Sequence, residues 1–289
     1  MKLHLPRNDS IGHGLVVLAA GLTRDAGRQL DGLAAAPVET VHRARVALKR
    51  ARSALRLLEK AGAPWAIMPR YRLTQAGGLM SAARENAAAA GLARKFSRRL
   101  RGREREVVLR LTARPGPLAP SAAEQIRQAL LAEARGLATA PAPVITPAQL
   151  RHLLRRSLDR AARRYGTAVE APAPESVHEW RKAVIILRDQ CAFAAARWPV
   201  GAGTAHLLLV RFARQVGRCG DLWLLGRRLR RQRVPAAQRT ARRRLVARVE
   251  LQRRLDALAA LVRWLRLEKH LTRLLAEKTG PRGKARSGR

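Results

Sequence analysis

The sequence contains few aromatic residues, few cysteines and no long apolar run. Phe, Trp and Tyr together make up 3% of its 289 residues. Ala and Leu dominate the apolar residues and strand-like runs are missing, so the composition predicts an all-helical protein. The two cysteines, Cys191 and Cys219, exclude a disulfide scaffold and a zinc ribbon, and we expect reduced thiols in a cytoplasmic protein. No apolar run approaches the roughly 18 residues that span a bilayer, so no membrane partner is expected.

Acidic residues are also scarce relative to basic ones. The chain has 59 Lys and Arg against 20 Asp and Glu, which gives a formal net charge of +39. A surplus of this size attracts polyanions and strains the compact state by self-repulsion. The composition therefore predicts a standing polyanionic partner.

One short phrase, E-[S/T]-V-H-x-x-R, occurs twice in the sequence. It occupies residues 39–45 and 175–181, with an offset of 136 residues. On a helix, the first copy and its continuation place a line of basic side chains within roughly 80°, beside an apolar seam. No acid interrupts this line before Glu59, so its charges repel one another unless an external anion neutralises them. The line consists of His42, Arg45, Lys49, Arg52 and Arg56.

The repeat extends beyond the phrase. Glu85 and Asp221 each lie 43 residues after the histidine of their own copy. This second match predicts two pseudo-symmetric four-helix bundles that arose by internal duplication. The predicted organisation is an N-terminal lead-in (1–9), a first half (about 10–120), a second half (about 121–277) and a disordered basic tail (278–289).

Each copy of the phrase also resembles the start of a helix. Thr40 and Ser176 are predicted N-caps, the latter with Glu179 in a capping box. This would place His42 and His178 in the first turn, where unpaired amides and the helix dipole favour a phosphate.

At these residues the sequence resembles the CHAD family, the conserved-histidine α-helical domains. The family pattern of H-x-x-R followed by basic residues at helical spacing is similar to the segments that begin at His42 and His178. A later family helix with an Arg-Asp pair is similar to Arg84-Glu85 and Gly220-Asp221. Over roughly residues 10–275, the resemblance implies two four-helix bundles, binding of inorganic polyphosphate in a basic channel and association with polyphosphate granules.

The second copy departs from the family pattern. Ile185 and Ile186 stand where two basic residues are usual, and Asp189 replaces an aromatic residue. We therefore expect fewer phosphate contacts from the second half, with Lys182 compensating in part. Glu85 and Asp221 are expected to orient arginines. The candidate polyphosphate-binding residues are His42, Arg45, Lys49, Arg50, Arg52, Arg56, His178, Arg181, Lys182, Arg188, Arg211, Arg214 and Arg218.

Two alternatives compete with polyphosphate binding. A nucleic-acid-binding protein meets the same electrostatic requirement, although the low aromatic content is unfavourable for recognising single strands. An enzyme acting on phosphoanhydrides could use a histidine nucleophile beside arginines. However, the sequence has no G-x-x-x-x-G-K-[S/T] motif, no H-E-x-x-H motif and no carboxylate cluster for Mg²⁺. We therefore expect no catalysis, no cofactor and no metal site.

Overall fold

The fold is described by a computed structural model that covers residue 5 and residues 10–112 and 118–276. These residues form ten α-helices and no strand, so the all-α prediction is confirmed. The tail at 278–289 and all of the lead-in except Leu5 lie outside the described residues. The helices are α1 (Ile11–Gln29), α2 (Pro37–Lys60), α3 (Ile67–Leu79), α4 (Ser81–Ser97), α5 (Gly102–Leu109), α6 (Pro120–Ala138), α7 (Pro147–Glu170), α8 (Pro174–Ala194), α9 (Thr204–Arg231) and α10 (Arg239–Ala276).

Two helices begin at side-chain N-caps. The Ser10 side chain accepts a hydrogen bond from the His13 amide at the start of α1. Thr146 and Gln149 form a reciprocal capping box at the start of α7. In both cases a polar side chain satisfies an amide that the first turn leaves without an intrahelical partner.

The predicted caps of α2 and α8 are wrong. Both helices begin earlier, with Pro37 and Pro174 at the first helical position, where a residue without an N–H fits. The Thr40 hydroxyl donates to the Gly32 carbonyl at 3.1 Å, and the Ser176 hydroxyl donates to the Ala173 carbonyl at 2.9 Å. The histidines of the two copies therefore lie in the second turn, past the unpaired amides, and the predicted phosphate site at a helix start does not form.

Eight of the helices pack as two four-helix bundles, as the sequence predicted for the fold. We call these bundles the first and the second ring, because each helix contacts the next around the bundle. In one ring α1 contacts α2 and α6, and α3 contacts both α2 and α6. In the other ring α7 contacts α8 and α10, and α9 contacts both α8 and α10. Helices α4 and α5 attach to α9 and α10. The predicted boundary between the two halves, at about residue 120, therefore does not match the packing. Helix α6 begins at this boundary, in the predicted second half, but packs with the first ring. The internal duplication itself stays a prediction.

An aromatic cluster forms the centre of the second ring. The Trp180 ring centroid lies 5.8 Å from that of Trp264 and 5.7 Å from that of Phe212. Trp180 is fully buried and belongs to the second copy of the repeated phrase. Its burial fixes the rotation of α8 about its axis, because a buried large ring leaves few alternative packings. The neighbouring polar residues His178 and Arg181 are then directed away from this core.

The two rings meet where α2 crosses α8. The Gln190 side chain donates to the Ser53 carbonyl at 3.4 Å across this crossing. Nearby, the buried carboxylate of Asp189 forms an ion pair with Arg188 at 2.6 Å. Leu5 is also buried, and its amide donates to the Phe193 carbonyl on α8. The crossing holds the basic face of α2 opposite the second copy of the phrase.

Candidate functional site

A cavity of about 470 Å³ lies between the two rings, bounded by α2, α4, α7 and α8. Its described lining is strongly basic and contains no Phe, Tyr or Trp side chain. The charged and titratable residues in the lining are Arg45, Lys49, Arg52, Arg56, Arg160, Arg164, Arg181, Lys182 and His178, with Glu85 and Glu179 as the acids. The described lining of this cavity thus contains eight permanent cations, all Lys or Arg, and two carboxylates.

Helix α2 supplies four of these cations from one face. Arg45, Lys49, Arg52 and Arg56 recur every three or four residues and line the cavity together. The adjacent face of the same helix is buried, with Leu48 among its core residues. Amphipathic periodicity therefore turns the acid-free line toward the cavity, as the sequence predicted for these four residues.

The cationic side chains on α2 lie close together and are partly buried. Burial lowers the pKa of Arg52, and the charge of Arg70 lowers it further. Burial also lowers the pKa of Arg56 to about 10, and the largest contribution among the neighbouring charges comes from Arg160. Both guanidinium groups remain charged at neutral pH. A bound anion would relieve this repulsion.

Helix α8 forms the opposite wall with His178, Arg181 and Lys182. Burial lowers the pKa of His178 below the usual 6.5, followed by the charges of Lys182 and Arg181. Lys49 on α2 contributes to the same shift, so the two walls are within electrostatic reach. Lys182 forms an ion pair with Glu179 at 2.6 Å.

The apolar part of the second copy lies on this wall too. Ile185 and Ile186 both line the cavity at the positions where the family pattern has basic residues. Their side chains are partly exposed there. The α8 wall is therefore less cationic than the α2 wall.

Helix α7 contributes Arg160 and Arg164, which the sequence analysis missed. Among the described residues, no carboxylate lies within ion-pair distance of either. A smaller recess of about 130 Å³ extends the basic surface along α7. The available signal was the spacing of Arg156, Arg160 and Arg164 at successive turns, opposite a leucine-rich face. The recess adds Lys60, Arg156 and Arg163 to the cations of the cavity.

The arginine of each copy contacts a later helix of its own half. Arg45 donates to the Gly77 carbonyl and, at 3.0 Å, to the Ser81 hydroxyl where α3 meets α4. Arg181 packs over Gly220 on α9, where an added Cβ would lie 3.5 Å from a guanidinium nitrogen. These contacts position both arginines at the cavity wall.

The two predicted orienting acids have different positions. Glu85 lines the cavity and forms an ion pair with Arg227 on α9 at 2.6 Å. Arg227 also lies over the Trp223 ring, 4.9 Å from its centroid, and Trp223 neighbours the His178 ring at 6.3 Å. Glu85 therefore connects α4 to α9, whereas Asp221 lies outside the cavity lining.

Six of the predicted binding residues do not line the cavity. His42 and Arg50 line a separate recess beside α1, together with Asp25 and Glu39. Arg188 is directed at Asp189. The line on α9 is solvent-exposed on another surface, because the opposite faces of that helix pack against its neighbours. That line consists of Arg211, Arg214 and Arg218.

No group of three or more His, Cys, Asp and Glu side chains within the described residues could hold a metal ion. Within the same residues, every helix is too short or too polar to cross a bilayer. Both cysteines are buried free thiols, and burial raises the pKa of Cys219 to about 11.

Comparison with known proteins agrees with this fold. The model of the CHAD domain family matches residues 19–230. The crystal structure of the CHAD domain from the plant Ricinus communis has a similar fold, with a TM-score of 0.65 at 19% identity. That alignment covers 90% of this chain and 94% of the plant chain. A search of curated proteins found no relative. Because the family model spans well over half of the sequence, the chain belongs to the CHAD domain family.

Proposed function

We propose that this protein binds inorganic polyphosphate in the cavity between the two helical rings, without catalysing a reaction. The observation that carries the proposal is the charge imbalance of one cavity, with eight permanent cations against two carboxylates. Both carboxylates already have cationic partners at 2.6 Å, Glu85 with Arg227 and Glu179 with Lys182. The described lining therefore keeps a net positive charge, which an external anion would neutralise.

The arrangement suits an extended phosphate chain. The cations of α2 recur at every turn, which on an α-helix is about 5.4 Å, and those of α7 continue into the adjoining recess. Arginine provides planar forks for phosphate oxygens and stays charged even when partly buried. A single phosphate ion would use only a few of these groups. We therefore expect affinity to rise steeply with polyphosphate length until the cavity is filled.

The cavity is poorly suited to bases. Recognition of single-stranded nucleic acid generally uses aromatic side chains on which bases stack, and the described lining contains none apart from the His178 imidazole. Polyphosphate carries neither bases nor sugars, so it can enter a space lined by guanidinium groups and two isoleucines. Binding of this kind would recruit a cytoplasmic protein to polyphosphate granules.

Nucleic acid is the second candidate, because another basic surface lies outside the cavity. Residues 101–105 and the start of α10 meet at one corner, where Arg103 donates to the Ala237 carbonyl at 3.1 Å. Exposed arginines on this corner include Arg101, Arg105, Arg231, Arg239, Arg243 and Arg244. Such a surface gives sequence-independent binding with a steep salt dependence.

A competition experiment with matched variants tests the proposal. The double variant Arg52→Glu/Arg56→Glu changes the cavity, and Arg211→Glu/Arg214→Glu makes the same charge change on the exposed face of α9. We expect the cavity variant to lose polyphosphate binding by at least about 100-fold and the control by only a few-fold, because exposed charges are screened. Circular dichroism should show both variants folded.

In the same assay, long polyphosphate should displace double-stranded DNA at matched phosphate concentration. Equal losses in the two variants, or DNA displacing polyphosphate, would contradict binding in the cavity. Release of inorganic phosphate from polyphosphate by the wild-type protein, abolished by His178→Ala, would contradict the non-catalytic part of the proposal.

A further inference from the structure

The outer face of α10 carries five exposed aliphatic side chains, which we name the α10 stripe. Their exposed fractions are 60% for Leu251, 52% for Leu255, 57% for Leu258, 61% for Val262 and 50% for Leu265. Single exposed apolar residues are common on protein surfaces, but a continuous row along one helix marks an interaction site. At 1.5 Å per residue, the row is about 21 Å long.

The inner face of α10 is already occupied. Leu261 and Trp264 are buried in the core of the second ring, and Leu245 and Val249 pack in a smaller cluster with α9 and α5. The helix thus has two apolar faces, and no described part of the chain covers the α10 stripe. A globular surface helix needs only one such face.

The spacing of the stripe is that of a helix-pairing seam. Its members are separated by four, three, four and three residues, so the row repeats every seven residues. Seven residues in two turns is the repeat that keeps an apolar seam facing a partner helix. The chemistry of the stripe therefore fits an α-helix with its own row of aliphatic side chains.

The charges around the stripe favour a second copy of this chain as that partner. Residues 250–268 contain four arginines and three acids, so this segment is nearly balanced although the whole chain carries +39. In contrast, residues 239–248 contain five arginines and no acid. Two such chains repel each other over most of their surface but approach at low electrostatic cost along the stripe.

The same charges select the orientation of the pair. Parallel helices would place the two 239–248 segments side by side, with ten arginines in close proximity. Antiparallel helices centred near Leu258 would separate residue 243 of one copy from that of the other by about 45 Å along the axis. They would also bring Glu268 near the arginine-rich segment of the partner copy.

We propose that two copies of this chain form a two-fold symmetric dimer by antiparallel pairing of their α10 stripes. A two-fold interface uses the same patch on both subunits, and one stripe of Leu and Val residues is complementary to another. Five side chains and their flanking residues reach only the lower part of the range around 800 Å² per partner that stable complexes bury. We therefore expect a dimer that dissociates on dilution.

The dimer rests on the stripe and not on the proposed function, but it has a consequence for it. Each copy carries its own basic cavity, so a dimer presents two cavities to one long polyphosphate chain. Binding at the second cavity would then be intramolecular, which raises the overall affinity without a new contact.

Sedimentation equilibrium of the full-length protein tests the dimer. A single chain has a mass of 31.9 kDa. At tens of micromolar and elevated salt we expect a mass of about 64 kDa that falls toward the monomer on dilution. The double variant Leu255→Glu/Val262→Glu should remain monomeric throughout. Its matched control, Leu207→Glu/Val17→Glu, replaces a Leu and a Val that are 64% and 52% exposed on α9 and α1, and should behave as wild type.

Disulfide cross-linking tests the orientation. Leu258→Cys should form a covalent dimer under mild oxidation, because residue 258 lies near the two-fold axis. Leu251→Cys should not, because in an antiparallel pair its two copies are about 21 Å apart. Cys191 and Cys219 are buried and should not contribute. A monomeric wild type at all concentrations, an unchanged dimer in the double variant, or efficient cross-linking of Leu251→Cys would each overturn the proposal.

Discussion

The two walls of the basic cavity are unequal, although each contains a copy of the same phrase. The α2 wall carries four cations on one helical face, namely Arg45, Lys49, Arg52 and Arg56. The α8 wall carries Arg181, Lys182 and the partly buried His178, followed by two isoleucines. One cation of this wall, Lys182, is paired with an acid. Among the described residues, no carboxylate lies within ion-pair distance of Arg52 or Arg56.

A third helix compensates for the weaker wall. Arg160 and Arg164 of α7 line the same cavity, and Arg160 is close enough to Arg56 to lower its pKa. The cationic lining of the cavity is therefore not confined to the helices that carry the motif. The cationic charge of the second half is supplied by α7 as well as by α8.

Beyond the α2 wall, the largest expected effect comes from removing this compensation. Arg160→Glu/Arg164→Glu should lower the affinity for long polyphosphate by about 100-fold near 0.1 M salt, because each lost phosphate contact costs several-fold at that salt. Isothermal titration calorimetry can measure the change. Arg211→Glu/Arg214→Glu is the control with the same change of charge. An effect no larger than the control's would mean that α7 does not contribute to binding.

A gain of affinity is expected when the α8 wall is made more like the α2 wall. Ile185→Lys/Ile186→Lys adds two cations at partly exposed positions of the cavity lining. Affinity should rise by about 10-fold at low salt, with a steeper dependence of log affinity on log salt. Titrations at three salt concentrations measure this slope. An unchanged slope would show that the ligand does not reach this part of α8.

A smaller effect is expected from His178 as the pH falls. Burial lowers the pKa of His178 below 6.5, so the imidazole of the free protein is neutral at pH 7. A bound polyanion stabilises the imidazolium and raises this pKa. Affinity should therefore increase by about three-fold to ten-fold as the pH falls from 7.5 to 5.5, since one pKa unit of linkage is a factor of ten.

His178→Gln should remove most of this pH dependence while leaving affinity at pH 7.5 nearly unchanged. His42→Gln, in the recess beside α1, should retain the dependence. If both variants keep the wild-type pH profile, His178 is not in contact with the ligand.

The smallest expected effect concerns the ion pair between Glu85 and Arg227, which connects α4 to α9. Both side chains are about one-third exposed, so Glu85→Gln should lower the free energy of unfolding by only about 0.5–1 kcal/mol. Thermal denaturation should detect a small decrease in Tm. Glu104→Gln, which removes a longer and more exposed pair with Arg248, should have a smaller effect. The opposite order would show that the cavity pair is not structural.

Much of the fold was predictable because it depends on short-range patterns. The 3.6-residue periodicity indicated the helices and the basic face of α2. Four of the five residues in that predicted line face the cavity, whereas His42 lies in the recess beside α1. The caps of α2 and α8 were mistaken because Ser and Thr are suitable both at a cap and inside the first turn. Pro37 and Pro174 were the stronger signals, since proline fits the first helical position.

The sequence alone determined the helical class, the amphipathic faces and the large cationic surplus, because these follow from composition and spacing along one chain. The tertiary structure decided which cations share a cavity. Arg211, Arg214 and Arg218 form as regular a line as the one on α2, yet the packing of α9 against its neighbours leaves them in solvent. Arg160 and Arg164 carry no motif, yet the packing of α7 against α8 places them opposite Arg56. Periodicity defines a helical face, but only the neighbouring helices determine where it is directed.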